Sequence, residues 1–246
     1  MGRINTALAA LIATTTVPMA AAAADRSSQP PVIEEASVIP EEIGTGWYLR
    51  GDVGYSRQGR PTASWYDPGA SSFGITGVKS GDAVTAGFGV GYKFNDWLRS
   101  DVTLDYISPS GVSGTVSAFP WVTDTLKIDS TVLMWNGYLD AGNFSGFTPY
   151  LGAGIGVART TTGKTERNVS GFTYSLAAGQ KYSLSAAGMA GVTIDIGHGI
   201  QADIGYRYLW INSAQTGESI GCNCGHDSFK NLDSHQIRVG LRYYMN

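Results

Sequence analysis

Nine charged residues stand at alternate positions within otherwise apolar segments: Arg50 and Asp52, then Arg99, Asp101 and Asp105, then Asp203 and Arg207, and finally Arg238 and Arg242. A spacing of two, or a multiple of two, puts side chains on one face of a β-strand. Arginines and aspartates gathered on one face can neutralise one another as a packed ionic network, or they can line a water path that selects ions. Three further groups have reactive side chains. Cys222, Cys224 and His226 follow a CxCxH spacing that could ligate a metal, although two cysteines so placed in an exported chain could equally form a small strained disulfide or remain separate thiols. No metal or other cofactor is expected. Ser234 and His235 are the pair a lipid hydrolase would need, but adjacent strand residues point to opposite faces, so a relay between them is geometrically poor. The chain is therefore read as a non-enzyme, with His198 solvated in a short turn.

The elements that carry these residues are set by the segment Asp82 to Ser108. Its even positions (Val84, Phe88, Val90, Phe94, Val102, Leu104 and Tyr106) are apolar, and the odd positions between them carry Gly87, Gly89, Gly91, Lys93, Arg99, Asp101 and Asp105. That is strand periodicity over two consecutive stretches of about 11 residues, and three alternating glycines argue against a helix. Pairing Phe94 with Leu98 leaves a three-residue loop, Asn95 to Trp97, of a common hairpin type. The same alternation predicts strands at Gly46–Arg57, Lys127–Asp140, Phe147–Arg159, Lys181–Ile196, Ile200–Asn212 and Ser234–Met245. In Lys127–Asp140 the faces compete, with Leu133, Trp135 and Leu139 on one and Val132, Met134 and Tyr138 on the other. Short turns at 95–97, 142–146 and 197–199 alternate with long loops at 58–81, 109–126, 160–180 and 213–233. Aromatic residues collect at both strand ends: Trp47, Phe94, Trp97, Tyr138 and Tyr243 near the short turns, and Tyr55, Tyr106, Tyr208 and Trp210 near the long loops.

Eight strands of this length, with one apolar face and one charged face, fit a bilayer of about 30 Å crossed by tilted strands. An open sheet edge cannot be satisfied in lipid, so closure is required. The expected fold is an all-β, eight-stranded antiparallel up-and-down transmembrane β-barrel occupying 46–246. An eight-stranded interior is only wide enough for side chains to fill, which favours the packed network over a pore. Residues 1–24 read as a secretory signal peptide with Arg3 in its basic region, and 25–45, rich in proline and glutamate, as a periplasmic linker. Losing the signal leaves 16 basic against 20 acidic residues from the 17 and 20 of the whole chain. A net charge of about −4 excludes nucleic acid as a partner.

The motifs WYLRGDVGYS at 47–56, GVGYKFNDWLRSDVTLDY at 89–106, NGYLD at 136–140, PYLGAGIGVA at 149–158, GYRYL at 205–209 and HQIRVGLRYYMN at 235–246 together resemble the small outer-membrane β-barrel family, and among its members the alphaproteobacterial surface-antigen and porin-like proteins. The resemblance implies residence in the bacterial outer membrane and a structural or surface role. A narrow passive channel is the alternative, and a lipid-modifying hydrolase a lesser one. Outer-membrane lipid is the expected surrounding partner, with a monomer favoured. Four extracellular loops bearing Trp65, Tyr66, Phe73, Phe119, Trp121, Phe172 and Tyr174 would offer contacts to a surface ligand or to haem.

Overall fold

The computed structural model describes residues 46–66, 72–217 and 225–245. The expected signal peptide and linker, and Cys222 and Cys224, lie outside the described residues. The strands in chain order are β1 (Trp47–Gln58), β2 (Thr62–Tyr66), β3 (Phe73–Ser80), β4 (Asp82–Lys93), β5 (Leu98–Val116), β6 (Val122–Asp140), β7 (Phe147–Thr162), β8 (Thr165–Val169), β9 (Phe172–Leu176), β10 (Gly179–Gly197), β11 (Ile200–Gln215) and β12 (His226–Tyr244). Eight of them form a closed antiparallel ring, β1-β4-β5-β6-β7-β10-β11-β12, with β1 pairing β12 from Tyr48↔Tyr244 to Gln58↔Ser234. Closure gives every strand of the ring two partners, as a bilayer demands.

Side chains alternate about the wall. In β6 the competition between faces is decided: Leu133 and Trp135 are 53% and 62% exposed, while Val132 and Met134 are 0% and 1%. Tyr138 therefore does not belong to the aromatic girdle near the short turns; it is buried inside the barrel. Its outward neighbour Leu139 takes the lipid-facing place. The alternating glycines of β4 also find their reason here. A Cβ on Gly91 would overlap the ring of Tyr48, and one on Gly87 would overlap the Asp105 carboxylate and the Arg238 guanidinium. Small inward positions on one strand make room for large inward side chains from the next.

The four long loops are where the structure departs from the expectation. Strands β5 and β6 run on through 109–126 and meet in a short connection, and β12 begins at His226 rather than Ser234. Two added hairpins, β2–β3 and β8–β9, stand above the ends of β1–β4 and β7–β10; β2 pairs with β12, β3 with β5 and β8 with β6. The result is a β-crown continuous with the barrel. Its strands were hidden because their polarity is inverted. In water the outward face is polar and the inward face apolar, the reverse of the membrane part, so the apolar positions slip by one at the waterline. β6 shows this without any break in its own alternation. Val122, Leu126 and Ile128 point inward above the membrane, whereas Leu133, Trp135 and Leu139 point outward within it. Pro109, which has no N–H for a ladder, sits where the β5–β6 register shifts between Ile107 and Ser110.

Candidate functional site

The structure places all nine alternating charged residues on the inner side of the barrel wall. Eight of them form two connected groups. In one, Asp105 accepts from Arg207 at 2.8 Å and from Arg238; Arg238 also reaches Asp52, and Arg50 joins Asp52 at 3.1 Å to Asp101 at 3.0 Å. In the other, Arg242 pairs with Asp203 at 3.1 Å. The ninth, Arg99, sits nearer the periplasmic mouth and pairs with Asp140 at 2.9 Å. With Asp140 counted, five arginines face five aspartates, so the interior is neutral. Its arginines also sit over rings: Arg99 lies 4.3 Å from the centre of Tyr138 and 4.7 Å from Tyr150, and Arg242 lies 5.1 Å from Tyr48.

Several members of this network carry no formal charge and escaped the sequence reading. Tyr48 donates to Asp101 at 3.1 Å, Arg50 donates to the Tyr138 hydroxyl at 2.7 Å, and Tyr150 donates to Asp203 at 2.9 Å. Asn136 donates to Asp101 at 2.8 Å, and Gln236 accepts from Arg207 at 2.9 Å. The signal for Tyr48 was present, since it shares the parity of Arg50 and Asp52. The void bounded by Arg50, Tyr138, Tyr150 and Arg238 measures about 20 Å³, room for about one water molecule.

Above this polar plug the lumen is closed twice more. Ala83, Ile107, Val132, Met134, Leu209 and Ile211 form an apolar cluster interspersed with inward Thr85, Ser130, Ser185 and Ser234, and Ala63, Ile75, Leu126, Ile128, Ala214 and Phe229 fill the crown. The crown core is crossed by one ionic triplet. Arg167 holds Asp124 through two bonds of 2.7 and 2.8 Å and Asp227 through one of 2.9 Å, with its guanidinium 4.8 Å from the Trp65 ring.

Burial, and then repulsion from Asp124, push the Asp227 carboxyl up to about 7 against the pull of Arg167. Because the folded value lies above the unfolded one, the folded crown holds a proton that an opened crown releases. The stability this supplies is full below about pH 4 and is lost as pH rises through about 7. Amide exchange in β2 and upper β12 should therefore show a crown that opens more readily at pH 8 than at pH 5, and Asp227→Asn should remove that difference. An unchanged pH dependence in the variant would show that another group governs it.

The remaining candidates are placed apart. His226 lies tilted against Tyr66 at 5.4 Å between ring centres, and no cluster of three or more metal-ligating side chains occurs among the described residues. Ser234 is buried inside, whereas His235 faces outward and shares a 2.6 Å hydrogen bond with Tyr206. They therefore stand on opposite sides of the wall. His198 is exposed in its turn at φ 55°. Of the aromatics read as loop residues, Trp65 stacks on Phe73, which meets Phe119, which meets Trp121, in steps of 5.5 to 5.8 Å. Trp121 and Phe172 are 58% and 71% exposed on the crown.

Comparison with known proteins agrees with this architecture. An uncharacterized protein of Brucella abortus is 31% identical, the match covering 87% of this chain and 89% of that one. A candidate adhesin of Rickettsia akari is 23% identical, with 86% and 93% covered. Among solved structures, the outer membrane protein OprG from Pseudomonas aeruginosa matches with a TM-score of 0.49 and 15% identity, over 82% of this chain and 98% of that one. The model of the outer membrane protein beta-barrel domain matches residues 7–244, nearly the whole sequence, and on that match the chain belongs to the outer membrane protein beta-barrel family.

Proposed function

We propose that this outer-membrane barrel is a non-conducting scaffold whose crown attaches the cell surface to a partner. The observation that carries the reading is the filled lumen. A neutral ionic plug, a mixed layer of apolar and hydroxyl side chains and the crown core lie one above another, leaving a void of about 20 Å³ in the plug. Inward Ser56, Thr85, Ser130, Thr160 and Ser234 stand among the apolar residues of the middle layer, so what stops a hydrated ion is the size of the voids, about 20 Å³ in the plug and about 30 Å³ above it, each with room for about one water. What the fold does offer the exterior is a rigid rim bearing Trp121, Phe172 and Tyr66, large aromatics of the kind that anchor interfaces. The adhesin designation of the Rickettsia relative supports the same reading.

Two measurements test it. Folded protein in a planar bilayer should show no discrete current steps; steps that change when Arg50 or Arg238 is neutralised would overturn the closed-barrel reading in favour of a channel. Vesicles carrying the protein should adhere to a monolayer of cultured cells, and Trp121→Ser with Phe172→Ser should lower adhesion roughly tenfold. Adhesion indifferent to both changes would remove the crown from the function.

A further inference from the structure

The lipid-facing wall is not uniform. Across β6, β7, β10 and β11 one outward row reads Trp135, Ile155, Ala186 and Trp210, and the next toward the periplasm reads Gly137, Ala153, Gly188 and Tyr208. The second row is small except at Tyr208: a Cβ added at Gly137 or Gly188 would meet nothing within 4 Å. The groove lies on the first row and outward of it: about 640 Å³ opens between Trp135 and Trp210 over Ile155 and Ala186, reaching Val157 and Leu184. Trp135 is fixed in place by donating its indole N–H to the Ser100 hydroxyl at 2.8 Å, so the wall keeps its shape without a ligand.

Directly above the groove the apolar surface ends on a cation. Twelve residues of β7 separate Phe147 from Arg159, about 30 Å of membrane depth for a strand tilted by roughly 40°. That places Arg159 at the headgroup level of the outer leaflet. Its cross-strand neighbours are Thr131 and Tyr182, both neutral. Arg159 is exposed and takes part in no ion pair among the described residues. By contrast Arg57, another outward arginine, stands opposite Asp82. Farther out on the same face Lys127 of β6 is also exposed and in no ion pair among the described residues; Asp129 of β6 stands between it and Arg159 of β7 in the register but makes an ion pair with neither. An unneutralised guanidinium at headgroup depth calls for a phosphate, which it can grip through two parallel hydrogen bonds.

We propose that this face is a docking site for a phosphorylated lipid of the outer leaflet, with the phosphate on Arg159 and Lys127 and one acyl chain lying in the groove between Trp135 and Trp210. Inside a bilayer there is no hydrophobic drive to fill a groove, so the chain is held by close packing over Ile155 and Ala186, and the charged end supplies selectivity. The site is independent of what the crown binds.

Native mass spectrometry of the whole protein in detergent micelles tests this, with bis-phosphorylated lipid A as the probe and its dephosphorylated form as the control. The wild type should retain one phosphorylated lipid and little of the control. Arg159→Gln with Lys127→Gln should weaken retention by about tenfold or more, while the lipid-facing Ala186→Leu, which fills the groove between the two tryptophans without touching the cations, should also reduce it. Equal retention of both lipid forms, or retention insensitive to the loss of both cations, would overturn the proposal. So would a dimer that Ala186→Leu dissociates, since a second copy would then be the occupant. Folding of each variant is checked by its heat-modifiable mobility in gels.

Discussion

Asp105→Ala is expected to lower the stability of the folded barrel by about 3–5 kcal/mol, the range for removing one partner of a buried ion pair. Asp105 is fully buried and is the one carboxylate that both Arg207 and Arg238 reach. Its loss leaves Arg207 with no anion within ion-pair distance among the described residues, and leaves Arg238 with Asp52 alone. Two guanidinium groups would then repel one another in a region with room for about one water. Thr103, which donates to Asp105 at 3.1 Å, loses its acceptor as well. The measurement is urea unfolding in vesicles, followed by gel mobility, and the midpoint should fall sharply. Asp105→Asn should fall between, since the amide oxygen still accepts. Adding Arg207→Met to Asp105→Ala should recover part of the loss, because the uncompensated cation is what costs most. A midpoint unmoved by Asp105→Ala would mean that water reaches the network, and the closed-barrel reading would fail with it.

The second large effect belongs to the crown. Arg167→Ala removes the only cation that contacts Asp124 and Asp227 among the described residues, leaving two carboxylates buried together and Trp65 without the guanidinium it faces. A cost of the same order, about 3–5 kcal/mol, is expected at pH 8. At pH 5 it should be smaller, since Asp227 takes up a proton readily and one anion disappears. Limited proteolysis should cut the variant's crown at pH 8 while the membrane-spanning barrel remains folded. Adhesion should fall too, although Trp121 and Phe172 are untouched, because the rim depends on the strands beneath it. Equal protease resistance of the variant and the wild type at pH 8 would show that the apolar core of Phe229, Ile75 and Leu126 holds the crown unaided.

Alternation was enough, from the residues alone, to separate the two faces of every membrane strand except β6, where apolar residues stand on both. Arg50, Asp52, Arg99, Asp101, Asp105, Asp203, Arg207, Arg238 and Arg242 fall on the inner wall because a strand has a period of two and lipid accepts no charge at its centre. Closure into eight strands followed from the same constraint. Sequence could not say which aspartate each arginine meets, since the pairs join residues as far apart as Asp52 and Arg238, brought together only when β1 closes on β12. Nor could it separate Tyr138 from the girdle, since an aromatic suits the lipid interface as well as an arginine-lined interior. The crown was missed for a different reason. Its strands carry their apolar residues on the opposite face from the membrane strands they continue, as Leu126 and Leu133 do in β6. A pattern that changes sign at the waterline reads as no pattern until the tertiary structure shows where the water begins.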